Sequence, residues 1–217
     1  MMLCRFVADD IDALFELDND AEVMRFINNG APVERSVVAQ TLESWLAEYD
    51  ENEHFGCWAA IHRPSAEFLG WFHLRTVGQD ADPVPELGYR LRRQFWGLGL
   101  ATEGSRALID RAFSDTRSHR VRAETMAVHT ASRRVMERCG MHLVRTFWAD
   151  WPFEIPGSEH GDVEYAIDRT EWHHRRRARG PAAETSATCS TSTLGTSGST
   201  AVAADEVVYG DNIHQGE

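Results

Sequence analysis

The 217-residue sequence predicts an α/β (α+β) fold, a mixed and mostly antiparallel central sheet flanked by helices. Three observations predict it. Apolar residues recur at helical spacing through the first fifty positions. Three compact apolar runs, separated by turn signals, follow between residues 56 and 91. From residue 100 onward, helical and extended patterns alternate. An apolar fraction of 42% is enough to fill a core of that kind.

The elements follow in order. Residues 5–7 read as a short first strand. Asp9 or Asp10 can cap a helix reaching about residue 19, with Ile11, Leu14 and Phe15 on one face. Residues 22–26 read as a further short helix. Ser36 suits the cap of a helix to about Tyr49, whose apolar side carries Val38, Leu42 and Trp45. Residues 56–61, 68–74 and 86–91 read as successive strands of a meander. Residues 100–114 then form a helix, 121–125 a strand, and 130–139 a helix stopped by Gly140. Residues 141–147 and 163–167 are the last strands, so the rear half reads as βαβα units. Residues 1–172 are expected to form the domain. Residues 173–217 are expected to be a disordered tail: eleven of the sixteen residues 185–200 are Ser or Thr, too few apolar groups to offset ordering entropy.

Composition excludes several classes. The net charge of −12 argues against nucleic-acid binding. No apolar run approaches the roughly 18–20 residues of a membrane span, and the first residues lack a secretory pattern, so a cytoplasmic protein is expected, as monomer or homodimer. Cys4, Cys57, Cys139 and Cys189 are scattered, and the histidines show no ligand spacing, so no metal site is expected. All 22 basic residues are arginine, which removes Schiff-base chemistry and the lysine of a Walker A loop. Residues 89–138 hold 11 arginines against 5 acids. That points to a localised anionic ligand, or else to arginines on exposed helix faces.

Gln94-Phe95-Trp96-Gly97-Leu98-Gly99 lies between the strand at 86–91 and the helix at 100–114. Two glycines at a strand-to-helix turn let a backbone approach a ligand closely. The helix start adds unpaired N–H groups and a positive dipole end, together a pyrophosphate cradle. Arg92 and Arg93 stand just before it and could add charge. A dinucleotide fingerprint would need a small residue where Thr102 stands and an acid about 20 residues on, in a stretch that holds Arg117 to Arg122 instead. A glycine turn that serves packing alone is the competing reading.

Gln94-x-x-Gly97-x-Gly99 followed by Ala101-Thr102-Glu103 resembles the acetyl-CoA pyrophosphate motif of the GNAT N-acetyltransferase superfamily. Glu86-Leu87-Gly88-Tyr89-Arg90-Leu91 resembles that family's fourth strand. Residues 131–141 resemble its second cofactor segment. Asp9 to Leu17 and Glu22 to Phe26 resemble the branch that acetylates ribosomal-protein N-termini. The likeness runs over residues 3–172 and implies a GNAT-like sheet with splayed central strands. It also implies an acetyl group moving from acetyl-CoA to a primary amine, of a protein or peptide N-terminus or of a small molecule, by direct attack in a ternary complex.

Carried over residue by residue, the resemblance puts the pyrophosphate on Gly97, Leu98, Gly99, Leu100, Ala101 and Thr102, with Gln94 beside them. Pantetheine would lie along Leu87, Gly88 and Tyr89 and along the strand of Val121 to Ala123. Two positions depart from the family pattern. His129, a candidate cofactor contact or else a base, stands where Asn is usual, and Met136 stands where many members carry the tyrosine that protonates the leaving thiolate. Ser132 is then the candidate partner of the sulfur and a cofactor contact, or else an exposed helix hydroxyl. Glu86 is the candidate general base, or else a strand-end acid. His73 and His160 are second-line bases, and Trp151 a candidate wall of the acceptor site. A non-catalytic acyl-CoA-binding regulatory module is the alternative function.

Overall fold

The computed structural model describes residues 1–51, 53–76, 84–152 and 154–179. The elements in chain order are β1 (Met2–Cys4), α1 (Ile11–Asp18), α2 (Ala21–Asn28), α3 (Arg35–Glu51), β2 (Gly56–Ile61), β3 (Phe68–Arg75) and β4 (Glu86–Leu91). They continue with α4 (Leu100–Asp115), β5 (Arg120–Met126), α5 (Thr130–Cys139), β6 (His142–Phe147), β7 (Asp162–Asp168) and α6 (Arg169–Arg179).

Seven strands form one sheet in the order β1-β2-β3-β4-β5-β7-β6. Every neighbouring pair is antiparallel except β4 and β5, which are parallel. The expected βαβα order of the rear half is present as β4–α4–β5–α5. The β4–α4–β5 crossover is regular, but β7 returns to pair between β5 and β6. A strand that is contiguous in space but late in sequence cannot be read from local periodicity.

Because side chains alternate along a strand, each face of the sheet collects its own core. Leu87 and Leu91 of β4, Val121 and Ala123 of β5, and Val163 and Tyr165 of β7 pack with Leu108, Ile109, Phe113 and Met136 of α4 and α5. On the other face Cys57, Ala59 and Trp71 pack with Leu14, Leu17, Met24, Val38 and Trp45 of α1 to α3. The sheet is covered on both sides, which is why β2 and β3 read as continuous apolar runs rather than alternating ones.

Local signals explain the helix ends near the site. Asp20 caps α2 by accepting from the Glu22 amide at 3.0 Å. The helix ends at Asn29 in the left-handed region, φ 59°. Gly140, φ +93°, ends α5. There the Met141 amide reaches the Met136 carbonyl at 3.0 Å, closing the last turn.

Two boundaries differ from expectation. The first strand is residues 2–4, and Phe6 is instead a core side chain 2% exposed. The last helix, α6, was not expected at all and runs past residue 172, where the domain was expected to end. Its arginine-rich sequence looks solvated, yet Trp172 anchors it, packing on Phe113 with ring centroids 5.4 Å apart. The remainder of the expected tail, 180–217, lies outside the described residues. Among the described residues no helix is long and apolar enough to cross a membrane.

Candidate active site

β4 and β5 run parallel but register at a single position, Glu86 opposite Arg122. The Arg122 amide donates to the Pro85 carbonyl at 3.0 Å at the same closed end. Beyond it, β4 stays paired to β3 through Leu91, and β5 stays paired to β7 through Met126. The two halves of the sheet therefore diverge, and Leu87, Gly88 and Tyr89 line the opening. Backbone edges without a neighbouring ladder can pair with an extended amide-bearing ligand as they would with a strand.

The turn 92–99 leads from the open end of β4 into α4. Gly97 and Gly99 have φ of +76° and +82°, and Gly99 caps α4. A Cβ built at either position would have no neighbouring atom within 4 Å. A Cβ on Gly88 would stand 2.4 Å from the His73 ring, and one on Gly104 would stand 2.3 Å from the Phe72 ring. Gly88 and Gly104 are thus packing glycines. Gly97 and Gly99 are not: their left-handed backbone favours glycine, while the space beside them is open. The amides at the head of α4 face that space with the positive end of a 16-residue helix behind them. Leu98 is 67% exposed, Leu100 and Ala101 are half-buried, and the Thr102 side chain is buried beneath the turn.

The arginines before the turn lie against acids. Arg92 pairs with Glu16, and Arg93 lies 3.6 Å from Asp20. Arg90 is buried against Asp18 at 2.5 Å. All three carboxylates come from α1 or the turn after it. Among the described residues, Arg90, Arg92, Arg93, Arg120 and Arg122 of the basic stretch pair with carboxylates brought in from distant segments of the chain. Gln94 likewise points its amide at Glu67, donating at 2.7 Å.

The opening between β4 and β5 is flanked by α5. The Tyr89 and Ser132 hydroxyls meet at 3.1 Å. Burial, only partly offset by the hydrogen bond to Ser132, pushes the Tyr89 phenol up to about 12. Met136, one turn on, is 3% exposed and belongs to the core. His129, at the head of α5, stacks on Phe26 of α2 with ring centroids 4.3 Å apart. Burial first, and the Arg25 charge second, lower its imidazole to about 4, so it is neutral at pH 7. Sequence reasoning did not find Phe26 or Arg25 as neighbours of His129, because α2 reaches this point only through the tertiary fold.

Glu86 sits at the closed end of the opening, its carboxylate 2.9 Å from Arg122. Arg122 also donates to Glu124 at 3.0 Å, and Arg145 bonds Glu164 at 2.7 Å and lies 4.0 Å from Glu124. Carboxylates and guanidiniums alternate from Glu86 to Glu164 across four strands, β4, β5, β6 and β7. His73 lies opposite Gly88 in the β3–β4 register, two residues along from Glu86, and stacks on Trp71 at 5.5 Å. It is 5% exposed, so solvent does not reach it freely.

A cavity of about 750 Å³ opens next to this region, between the end of α2 and the connection from β6 to β7. Asn29, Trp151, Glu154, Ile155 and Glu159 are among its lining residues. Asn29 follows Phe26 by one helical turn, and Gly157 packs against Val128, the neighbour of His129. The cavity therefore adjoins the head of α5. Trp151 is held by its indole N–H, which donates to Asp162 at 3.2 Å. His160 is not among the lining residues and lies exposed, 3.5 Å from Glu159. Among the described residues no cluster suited to a metal ion occurs.

Splayed parallel strands, a glycine turn at a helix head and a cavity beside the head of α5 are the features of an acyl-CoA-dependent transferase. Residues 1–142 match the family description "Acetyltransferase (GNAT) domain". The chain is 35% identical over 164 residues to the FsC-acetyl coenzyme A-N(2)-transacetylase of Aspergillus fumigatus, covering 72% of this chain and 68% of that protein. It is 31% identical over 132 residues to the uncharacterized protein YkkB of Bacillus subtilis, covering 60% and 74%. The fold is that of RimL, a ribosomal L7/L12 alpha-N-protein acetyltransferase solved with coenzyme A (TM-score 0.65, 15% identity, 76% of this chain and 92% of that one). It is also that of a spermidine N-acetyltransferase from Vibrio cholerae (TM-score 0.64, 13% identity, 79% and 97%).

The chain belongs to the GNAT family of acetyltransferases. It is an acyl-CoA-dependent N-acetyltransferase, and the family's acetyl donor is acetyl-CoA.

Proposed function

We propose that this enzyme transfers the acetyl group of acetyl-CoA to a primary amine of a small molecule seated in the cavity beside the head of α5. The observation that carries the reading is the pair Gly97 and Gly99, held in left-handed conformations beside open space at the start of α4. Backbone amides from Gly97 to Thr102 would hold the pyrophosphate through charge-assisted hydrogen bonds. The β4 strand is about 16 Å long, so its open edge from Leu91 back to Leu87 suits an extended pantetheine arm. That arm would bring the thioester toward Tyr89 and Ser132 and toward the Glu86 end.

The residues then divide the chemistry. An amine is protonated at pH 7 and must lose a proton before it attacks. Glu86 is the assigned base, acting directly or through water, with Arg122 holding its carboxylate in place. Ser132 is assigned to the sulfur, since Met136 has no hydrogen to donate. Neutral His129 would contact the donor near the head of α5. The buried His73 is suited to supporting the floor of the site, and the exposed His160 to its rim.

Acetyl transfer to a nitrogen is supported by the relative at 35% identity, whose name gives an N(2)-transacetylase of FsC, and the small-molecule acceptor by the cavity of about 750 Å³. The acids Glu154 and Glu159 and the ring of Trp151 on the cavity wall suit an approaching ammonium group. The reading includes a cytoplasmic location, supported by the scattered spacing of the four cysteines, which gives no disulfide framework. The test is a thiol-release assay with acetyl-CoA against a panel of small amines and N-terminal peptides. The reading predicts release with one or more small amines. Release with peptides alone would move the acceptor to protein N-termini. Acetyl-CoA binding without any release would favour the regulatory module.

A further inference from the structure

The geometry points to Tyr89 as a positioning residue whose buried hydroxyl donates to Ser132 Oγ and so directs the serine's own hydrogen at the sulfur of the acetyl donor. The inference rests on the assignment of Ser132 to the sulfur made above.

A serine hydroxyl has one hydrogen and a freely rotating C–O bond. On the surface of a helix that hydrogen commonly turns back to a carbonyl one turn earlier. Tyr89 changes the balance. Its oxygen is 3.1 Å from Ser132 Oγ, and Ser132 is the polar side chain that it meets. The ring is fixed from behind by Phe72, with centroids 5.8 Å apart, and sits on the core side of β4 among the residues packed against α4 and α5. A rigid phenol donating to Oγ occupies one lone pair and leaves the serine hydrogen to seek another acceptor. In the reading above, that acceptor is the sulfur.

The direction of donation follows from burial: a phenol packed against the core with Ser132 Oγ as its hydrogen-bond partner leaves its hydrogen unbonded unless it donates there, and an unmade buried donor is costly. Burial holds the Tyr89 phenol at about 12, so it stays protonated through the working range of the enzyme. An ordinary thiol titrates near about 8.5, so proton transfer from this phenol to a thiolate would be uphill by several powers of ten. Tyr89 is therefore a hydrogen-bond donor and not the acid. As the C–S bond breaks, its electron pair goes to sulfur, and the Ser132 hydroxyl bonds to that developing charge. The proton that the thiolate finally takes is the one the attacking amine releases, carried by the base or by solvent. No proton is lost from either hydroxyl, and the pair returns unchanged. The hydrogen bond strengthens as charge grows, so it favours the transition state over the bound donor.

The experiment is a double-mutant cycle on kcat and acetyl-CoA affinity with Tyr89→Phe, Ser132→Ala and the pair, using one accepted amine. Tyr89→Phe retains the ring and its packing. The expected results are a fall in kcat of about fivefold for Tyr89→Phe, the scale of one neutral hydrogen bond, with acetyl-CoA affinity unchanged. No further fall is expected when Tyr89→Phe is added to Ser132→Ala, and Ser132→Thr should restore the sensitivity to Tyr89→Phe. An equal fall in both backgrounds, or no fall in the single variant, overturns the inference. A Ser132→Ala variant with full kcat removes the Ser132 assignment and the inference with it, while leaving the acetyl transfer itself standing. If Tyr89→Phe does not fold, the wild-type pH profile decides. A kcat with no loss to tyrosine ionisation near pH 10 supports the pair, and a loss centred near 10 overturns it.

Discussion

Arg122 and Glu86 meet at 2.9 Å at the one position where β4 and β5 are in register. The pair closes the narrow end of an opening that the rest of the two strands leave apart. Arg122 also serves Glu124, whose side chain is 2% exposed. One guanidinium therefore supports two carboxylates and ties the two halves of the sheet together.

Arg122→Met should consequently destabilise the protein by about 3 kcal/mol, the scale for leaving buried carboxylates without their cation. Urea unfolding at pH 7 measures it. A loss below about 1 kcal/mol, the scale of an exposed pair, would show that the alternating ladder does not hold the sheet together.

Glu86→Gln should leave acetyl-CoA affinity within about twofold and lower kcat by about a hundredfold, the low end for removal of a general base. Steady-state rates and calorimetry on the same variant separate the two effects. A kcat within threefold of wild type would pass the role of base to another group, His73 first.

The neutral His129 makes stability depend on pH with a definite sign. In the unfolded chain its imidazole takes up a proton near about 6.5, whereas in the fold it resists until about pH 4. The unfolded state thus binds more protons between those values, and stability falls as pH drops through that window. The contribution of this one group is at most about 3 kcal/mol by pH 4, less where solvent reaches the ring. His129→Asn should flatten the decline measured by urea unfolding between pH 7 and 4.5. An unchanged slope would place the imidazole in a more open setting than its stack on Phe26 implies.

Trp172→Ala should cost about 3–4 kcal/mol, as expected for removing a buried aromatic, because Trp172 pins α6 to Phe113. Thermal unfolding with amide exchange over α6 reads this directly. A change under about 1 kcal/mol would show that α6 lies loosely on the sheet.

The sequence was most legible where local chemistry decides structure. β2, β4 and α5 occupy the ranges expected of them, because a compact apolar run or a terminal glycine marks each end. The glycine turn was legible for the same reason, since positive φ and a helix head depend on a few adjacent residues. What arises between distant segments was not legible. The insertion of β7 between β5 and β6 is one case. The capture of Arg90, Arg92 and Arg93 by acids of the first helices is another. The stack of Phe26 on His129 and the Tyr89–Ser132 contact are two more. α6 was missed because its arginine-rich surface outweighs the single buried Trp172 in any local reading.

Calorimetric titration of acetyl-CoA into the wild-type protein and into Gly99→Val tests the central claim most directly. The cradle requires a backbone with no side chain at Gly99, where φ is +82° and the space a Cβ would enter is open. A Cβ there has no neighbouring atom within 4 Å, and valine costs about 1–2 kcal/mol for its left-handed backbone, so the variant should remain folded by circular dichroism. The account predicts saturable one-site binding by the wild type and at least a hundredfold weaker binding by folded Gly99→Val. Equal affinity of the two folded proteins would contradict it, because the pyrophosphate would then lie somewhere other than the head of α4.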